Sequence, residues 1–62
     1  MMLYCVVEGD STEYTTRYKV VKAFASESRA NALASELATL LAPGYRSYRW
    51  FDVVDLEADM EV

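Results

Sequence analysis

Five of the ten acidic residues fall within the last eleven positions, as Asp52, Asp55, Glu57, Asp59 and Glu61. Clustered carboxylates are the first groups in this chain that could move a proton or hold a cation. To act as an acid and base pair they need a pocket that holds their two pKa values apart, and 62 residues leave little room for one. No histidine is present, which removes the commonest general base, the commonest metal ligand and every Ser-His or Cys-His nucleophile pair. Cys5 stands among Leu3, Val6 and Val7 with nothing adjacent to stabilise a thiolate, and reads as a buried structural thiol. Asp10-Ser11-Thr12-Glu13 supplies too few oxygens for a calcium loop, and two glycines, Gly9 and Gly44, make no phosphate-binding loop. The expectation is a protein that is not an enzyme and has no cofactor and no metal.

The acids are more informative as a row. From Asp55 to Val62 acidic and apolar residues alternate without a break, which is strand periodicity. The bland reading is a strand end fraying into solvent; the sharper one is a short C-terminal extension that pairs with another chain. Same-side carboxylates on such a strand recur every ~6.6 Å, near two phosphate steps of B-DNA. Asp55, Glu57, Asp59 and Glu61 could therefore imitate a nucleic-acid backbone, form a solvated face, or pair with basic residues of this subunit or a neighbour. All six basic residues lie between Arg17 and Arg49.

These groups must be positioned by strands and one helix. Met2 to Val7 is apolar and partly β-branched or aromatic, a strand, and Gly9-Asp10-Ser11 supplies turn residues for a hairpin. The second strand spans about 13–25. Tyr14, Thr16, Tyr18, Val20, Lys22 and Phe24 share its more apolar parity, and Thr15, Arg17, Lys19, Val21 and Ala23 the other. Ser26 is placed to cap a helix, with Glu27 near its positive end. Ala30, Leu33, Ala34, Leu37, Leu40 and Leu41 then repeat as one apolar stripe. The helix ends near Ala42, before Pro43 and Gly44. Tyr45 to Leu56 holds four aromatics and two valines, a third strand expected beside the first. Tyr45, Phe51 and Val53 share one parity and Tyr48, Trp50, Val54 and Leu56 the other, so either both faces are covered or a bulge switches parity midway. The predicted fold is a single α+β domain over 1–62, an antiparallel sheet in β-β-α-β order with one amphipathic helix on one face.

So short a chain buries a small fraction of itself and commonly relies on a staple or a second copy. A lone cysteine and the lack of histidine rule out internal disulfide and zinc staples, which leaves oligomerisation. The 53% apolar and 26% charged composition is that of a folding chain. No apolar run is long enough to span a bilayer, the first residues lack a basic start for a secretory signal, and small secreted domains carry paired cysteines. A cytoplasmic location is expected.

If the helix covers Leu3, Cys5, Val7, Tyr18, Val20 and Phe24, the open face displays Tyr4, Val6, Arg17, Lys19 and Val21, with Tyr48 and Trp50 beside them. Exposed Tyr, Trp and Arg are favoured anchors of protein interfaces. Long side chains shielding the face are the bland account. Aromatics beside Arg and Lys also suit stacking on single-stranded nucleic acid, against which stand the net charge of -4 and the absence of a dense basic patch.

The strand Met2-Leu3-Tyr4-Cys5-Val6-Val7, the join Val21-Lys22-Ala23-Phe24-Ala25-Ser26 into Arg29-Ala30-x-x-Leu33-Ala34-x-x-Leu37, and the strand Phe51-Asp52-Val53-Val54-Asp55-Leu56 together resemble the small orphan accessory proteins of bacteriophages and mobile elements. The likeness, over most of the chain, is one of size and element order. It implies a protein made inside an infected bacterium that blocks a host or defence protein, such as a nuclease complex or RNA polymerase, by occupying its surface. Such proteins share no common site, so no functional residue carries over. The expected function is thus a non-enzymatic, homodimeric protein-interaction module. Its surface is expected on Tyr4, Arg17, Lys19, Tyr48 and Trp50 of the sheet and on Asp55, Glu57, Asp59 and Glu61 of the acidic row. A single-stranded nucleic-acid-binding module is the alternative.

Overall fold

The computed structural model describes residues 1–57 of the 62-residue chain. Its elements are β1 (Met2–Ser11), β2 (Thr16–Phe24), α1 (Glu27–Leu40), a single 3-10 turn (Pro43–Tyr45) and β3 (Arg49–Glu57). The strands form one antiparallel sheet in the order β2-β1-β3, and α1 packs across one face of it. The α+β class and the β-β-α-β order read from the sequence are those of the molecule. β1 takes the centre because it is apolar at both parities from Met2 to Val7, the composition of a strand shielded on two sides. Since β2 and β3 both run antiparallel to β1, they are parallel to each other, and α1 is the crossover that carries the chain over β1 between them.

The hairpin turn forms later than Gly9-Asp10-Ser11 suggests. β1 continues through Ser11, and the chain reverses over Thr12–Thr15, where the Thr12 amide donates to the Thr15 carbonyl at 2.7 Å. The Thr12 hydroxyl accepts from the Thr15 amide at 3.1 Å, so a side chain holds the reversal without a glycine. Gly9 therefore lies inside the strand, and with a φ that is not positive. Its purpose is close approach: a Cβ there would run into the Trp50 ring that lies against it.

α1 begins where the sequence places it. The Ser26 hydroxyl accepts from the Arg29 amide at 3.4 Å, and the last turn tightens as the Leu41 amide reaches the Ala38 carbonyl at 3.3 Å. Ala30 and Ala34 are buried, small enough to let the helix approach Val6, which is fully buried. Tyr4, Phe24, Leu33, Leu37, Phe51 and Val53 pack around them. Leu40, placed in the stripe by its spacing, is 75% exposed instead: it is the last helical residue, beyond the part of the helix that crosses the sheet.

The helix covers the opposite face from the one expected. It lies on Tyr4, Val6, Phe24, Phe51 and Val53, not on Leu3, Cys5, Val7, Tyr18 and Val20. Two features cause the exchange. β1 is apolar at both parities, so its pattern cannot choose a face. In addition, β2 carries a bulge: Val6 pairs with Lys22 but Val7 with Val20, leaving Val21 unmatched. Phe24 and Lys22 thereby face the helix while Val20 and Tyr18, of the same parity, face away. β3 has no bulge. It pairs in unbroken register from Arg49 to Glu57, with Phe51 and Val53 under the helix and Val54 and Leu56 on the open side.

A candidate protein-interaction surface

The open face is built in rows across the three strands. Cys5 is flanked by Ala23 and Val54, Val7 by Val20 and Asp52, and Gly9 by Tyr18 and Trp50. The Trp50 ring lies against Gly9 and meets Tyr18 edge to face, centroids 6.0 Å apart and planes at 76°. Above these two aromatics lies a shallow trough of about 480 Å³ lined by Cys5, Val7, Tyr18, Val20, Val54 and Leu56, with Asp52 at its rim. Asp52 accepts a hydrogen bond from the Val53 amide at 2.8 Å. The floor of the trough is buried, Cys5 and Val7 each being 8% exposed, but its walls are not: Tyr18 is 67%, Val20 61% and Leu56 55% exposed. An apolar surface with a shielded floor and uncovered walls is the form a protein-binding patch takes.

The sheet residues expected to gather on this face are dispersed. Trp50 is on it. Tyr4 packs under the helix. Arg17 and Lys19 lie in the rows of Asp10 and Glu8, on the helix side, because the bulge at Val21 reverses which parity of β2 faces the helix. Tyr48 sits in the connection before β3, its ring edge-on to Tyr45 at 5.7 Å and its carbonyl accepting from the Ser11 amide at 2.8 Å. Of the acidic row, Asp55 and Glu57 lie on the exposed C-terminal half of β3, opposite Tyr4 and Met2; Asp59 and Glu61 are outside the described residues. Pairing of this row with β2 of the same subunit is ruled out for β3 itself, since β1 lies between them. Sequence reasoning placed Cys5, Val7, Tyr18 and Val20 under the helix and so missed them as residues of the open face, and the one local signal was Gly9, a glycine in a strand that marks where an aromatic comes close.

A second hollow, of about 440 Å³, lies between the C-terminal half of α1 and the start of β3, lined in part by Ser35, Thr39, Arg46 and Arg49. Two of its polar side chains are engaged within the fold, whereas the buried Arg49 Nε has no hydrogen-bond partner among the described residues. Arg46 Nε donates to the Leu41 carbonyl at 3.3 Å, closing the helix end, and the Thr39 hydroxyl donates to the Ser35 carbonyl at 2.9 Å. Arg49 stacks over the Tyr45 ring at 5.4 Å and has Asp10 3.9 Å away, an ion pair too long to be a hydrogen bond. Among the described residues no cluster of three or more His, Cys, Asp or Glu is placed to hold a metal ion, and no helix is long and apolar enough to cross a membrane. No family model, curated protein or solved structure matches the chain.

Proposed function

We propose that this chain is a non-enzymatic protein-interaction module, and that its open sheet face receives an apolar segment of a protein target. The observation that supports this is the trough over Cys5 and Val7, whose apolar walls at Tyr18, Val20, Val54 and Leu56 have nothing among the described residues to cover them. The matching occupant is a strand or helix face rich in aliphatic side chains, with a cation set against Asp52 at the rim. The module's proposed mode of action is occlusion of the surface it binds. In the bacterial cytoplasm, as the resemblance to phage accessory proteins implies, the occluded surface belongs to a host or defence protein. The second reading, stacking on single-stranded nucleic acid, needs aromatics and cations on one surface. Here Tyr18 and Trp50 are on one side of the sheet and Arg17 and Lys19 in the rows of the other.

The test is capture from bacterial lysate, with and without nuclease treatment, by the wild-type protein, by Val20→Lys/Leu56→Lys on the open face, and by Ala32→Lys on the exposed side of the helix. All three sites are exposed, so the thermal melts are expected to stay close together. The expected result is one stoichiometric protein retained by the wild type and by Ala32→Lys and lost with the open-face variant. Equal retention by all three would remove the open face as the binding site. Material lost on nuclease treatment would move the nucleic-acid reading to first place.

A further inference from the structure

The two edges of the sheet carry opposite charge. β2, the strand at one edge, holds Arg17, Lys19 and Lys22 and no acid; β3, at the other, holds Asp52, Asp55 and Glu57 against a single base, Arg49. Facing matters as much as sign. Lys19 and Lys22 are three residues apart and in a regular strand would point to opposite faces. The bulge at Val21 places Lys22 opposite Val6, so that Arg17, Lys19 and Lys22 all stand on the helix side. Asp55 and Glu57, opposite Tyr4 and Met2, stand on that side as well. β2 is exposed along nearly its whole length, and the C-terminal half of β3 equally so.

We infer that a second copy of this chain docks edge to edge, the acidic edge of β3 against the basic edge of β2. An exposed edge is a template for strand addition, and like charges are a common means of blocking it. β2 against β2 opposes cations and β3 against β3 opposes acids, so both two-fold edge pairings are disfavoured and the head-to-tail one remains. Since β2 and β3 run parallel, adding the neighbour with its helix on the same side makes a parallel pair and sets the helix-side charges of both edges on one face. An antiparallel addition would turn the neighbour over and place Asp55 and Glu57 beside Tyr18 and Val20 instead. In straight alignment Arg49 would meet Arg17. An offset of two side-chain rows, roughly 13 Å along the strands, sets Asp55 beside Lys19 and Glu57 beside Lys22. Such a contact is heterologous: it continues beyond two copies unless it closes into a ring. It leaves the open face of every copy free, so it stands independently of the target-binding role proposed above.

Sedimentation velocity on the full chain tests this with a charge exchange. Lys19→Glu/Lys22→Glu makes both edges acidic, and Asp55→Lys/Glu57→Lys makes both basic. The four changes together exchange the edges and keep the net charge at -4. The wild type is expected to associate with rising concentration at low salt and to dissociate as salt screens the edges. Each half-exchange alone is expected to sediment as a monomer, an equimolar mixture of the two to associate again, and the full exchange to associate like the wild type but not with it. Circular dichroism establishes that each variant is folded; where a half-exchange is not, Lys19→Gln/Lys22→Gln, which leaves the edge uncharged, takes its place and is expected to lose most of the salt-sensitive association. A wild type that stays monomeric at low salt overturns the inference. So does association that survives both folded half-exchanges, or a full exchange that remains monomeric.

Discussion

On one side of β1, Val6 is wholly removed from water beneath Ala30 and Ala34; on the other, Cys5 and Val7 are 8% exposed with no element above them among the described residues. The same strand thus reaches similar burial by two routes. On the helix side a second layer covers the sheet. On the open side the shielding is lateral, from Tyr18 and Val20 in β2 and Val54 and Leu56 in β3, and these neighbours remain in solvent themselves. The helix side has therefore already gained its burial on folding, at about 25 cal/mol per Å² of apolar surface, whereas the walls of the open side have surface still to cover. A molecule with one covered face and one open face is folded chiefly by the first.

The largest expected difference between the faces comes from one charge placed on each. Val6→Asp puts a carboxylate into the fully buried layer under the helix, at a cost of several kcal/mol even with Lys22 across the strand, enough to abolish the cooperative thermal transition of so small a domain. Val7→Asp, at the open trough and beside Asp52, is expected to cost less, because water can reach the carboxylate, and to leave a measurable melt. Equal losses would mean that the open face is as closed as the other. Next in size is Gly9→Ala, which forces Trp50 off the sheet and away from Tyr18. A loss of about 1–2 kcal/mol in a denaturant titration is expected, with a red shift of the Trp50 emission as the indole enters water.

The helix's own contribution is probed at its start. Ser26→Ala removes the acceptor for the Arg29 amide and should lower stability by about 1 kcal/mol in the same titration. Smallest of all is Leu40→Gln, expected within about 0.5 kcal/mol of wild type because Leu40 lies outside the packed stripe. A loss near that of a core leucine would place Leu40 in contact with a second copy or a partner, and would extend the interaction surface from the sheet to the helix end.

Local chemistry in the sequence determined much of this protein. The Ser26 cap, the stripe of Ala30, Leu33, Ala34 and Leu37, and the stop before Pro43 define the helix because each acts over one or two turns. The apolar run of β1 and the aromatics of β3 define strands that belong side by side, and the absence of histidine is a property of composition alone. What the tertiary structure decided is which side of the sheet the helix covers. β1 is apolar at both parities, so no periodicity distinguishes its faces, and the choice follows the path of the crossover from β2 to β3. The bulge at Val21 was equally beyond reach, because an unmatched residue exists only relative to a partner strand. With the bulge went the placement of Arg17 and Lys19 on the helix side, of Tyr18 and Val20 on the open face, and of Lys22 beside Lys19. Gly9 carries the same lesson: its residue type announces a backbone peculiarity, but only the fold brings Trp50 against it and turns a presumed turn residue into the middle of a strand.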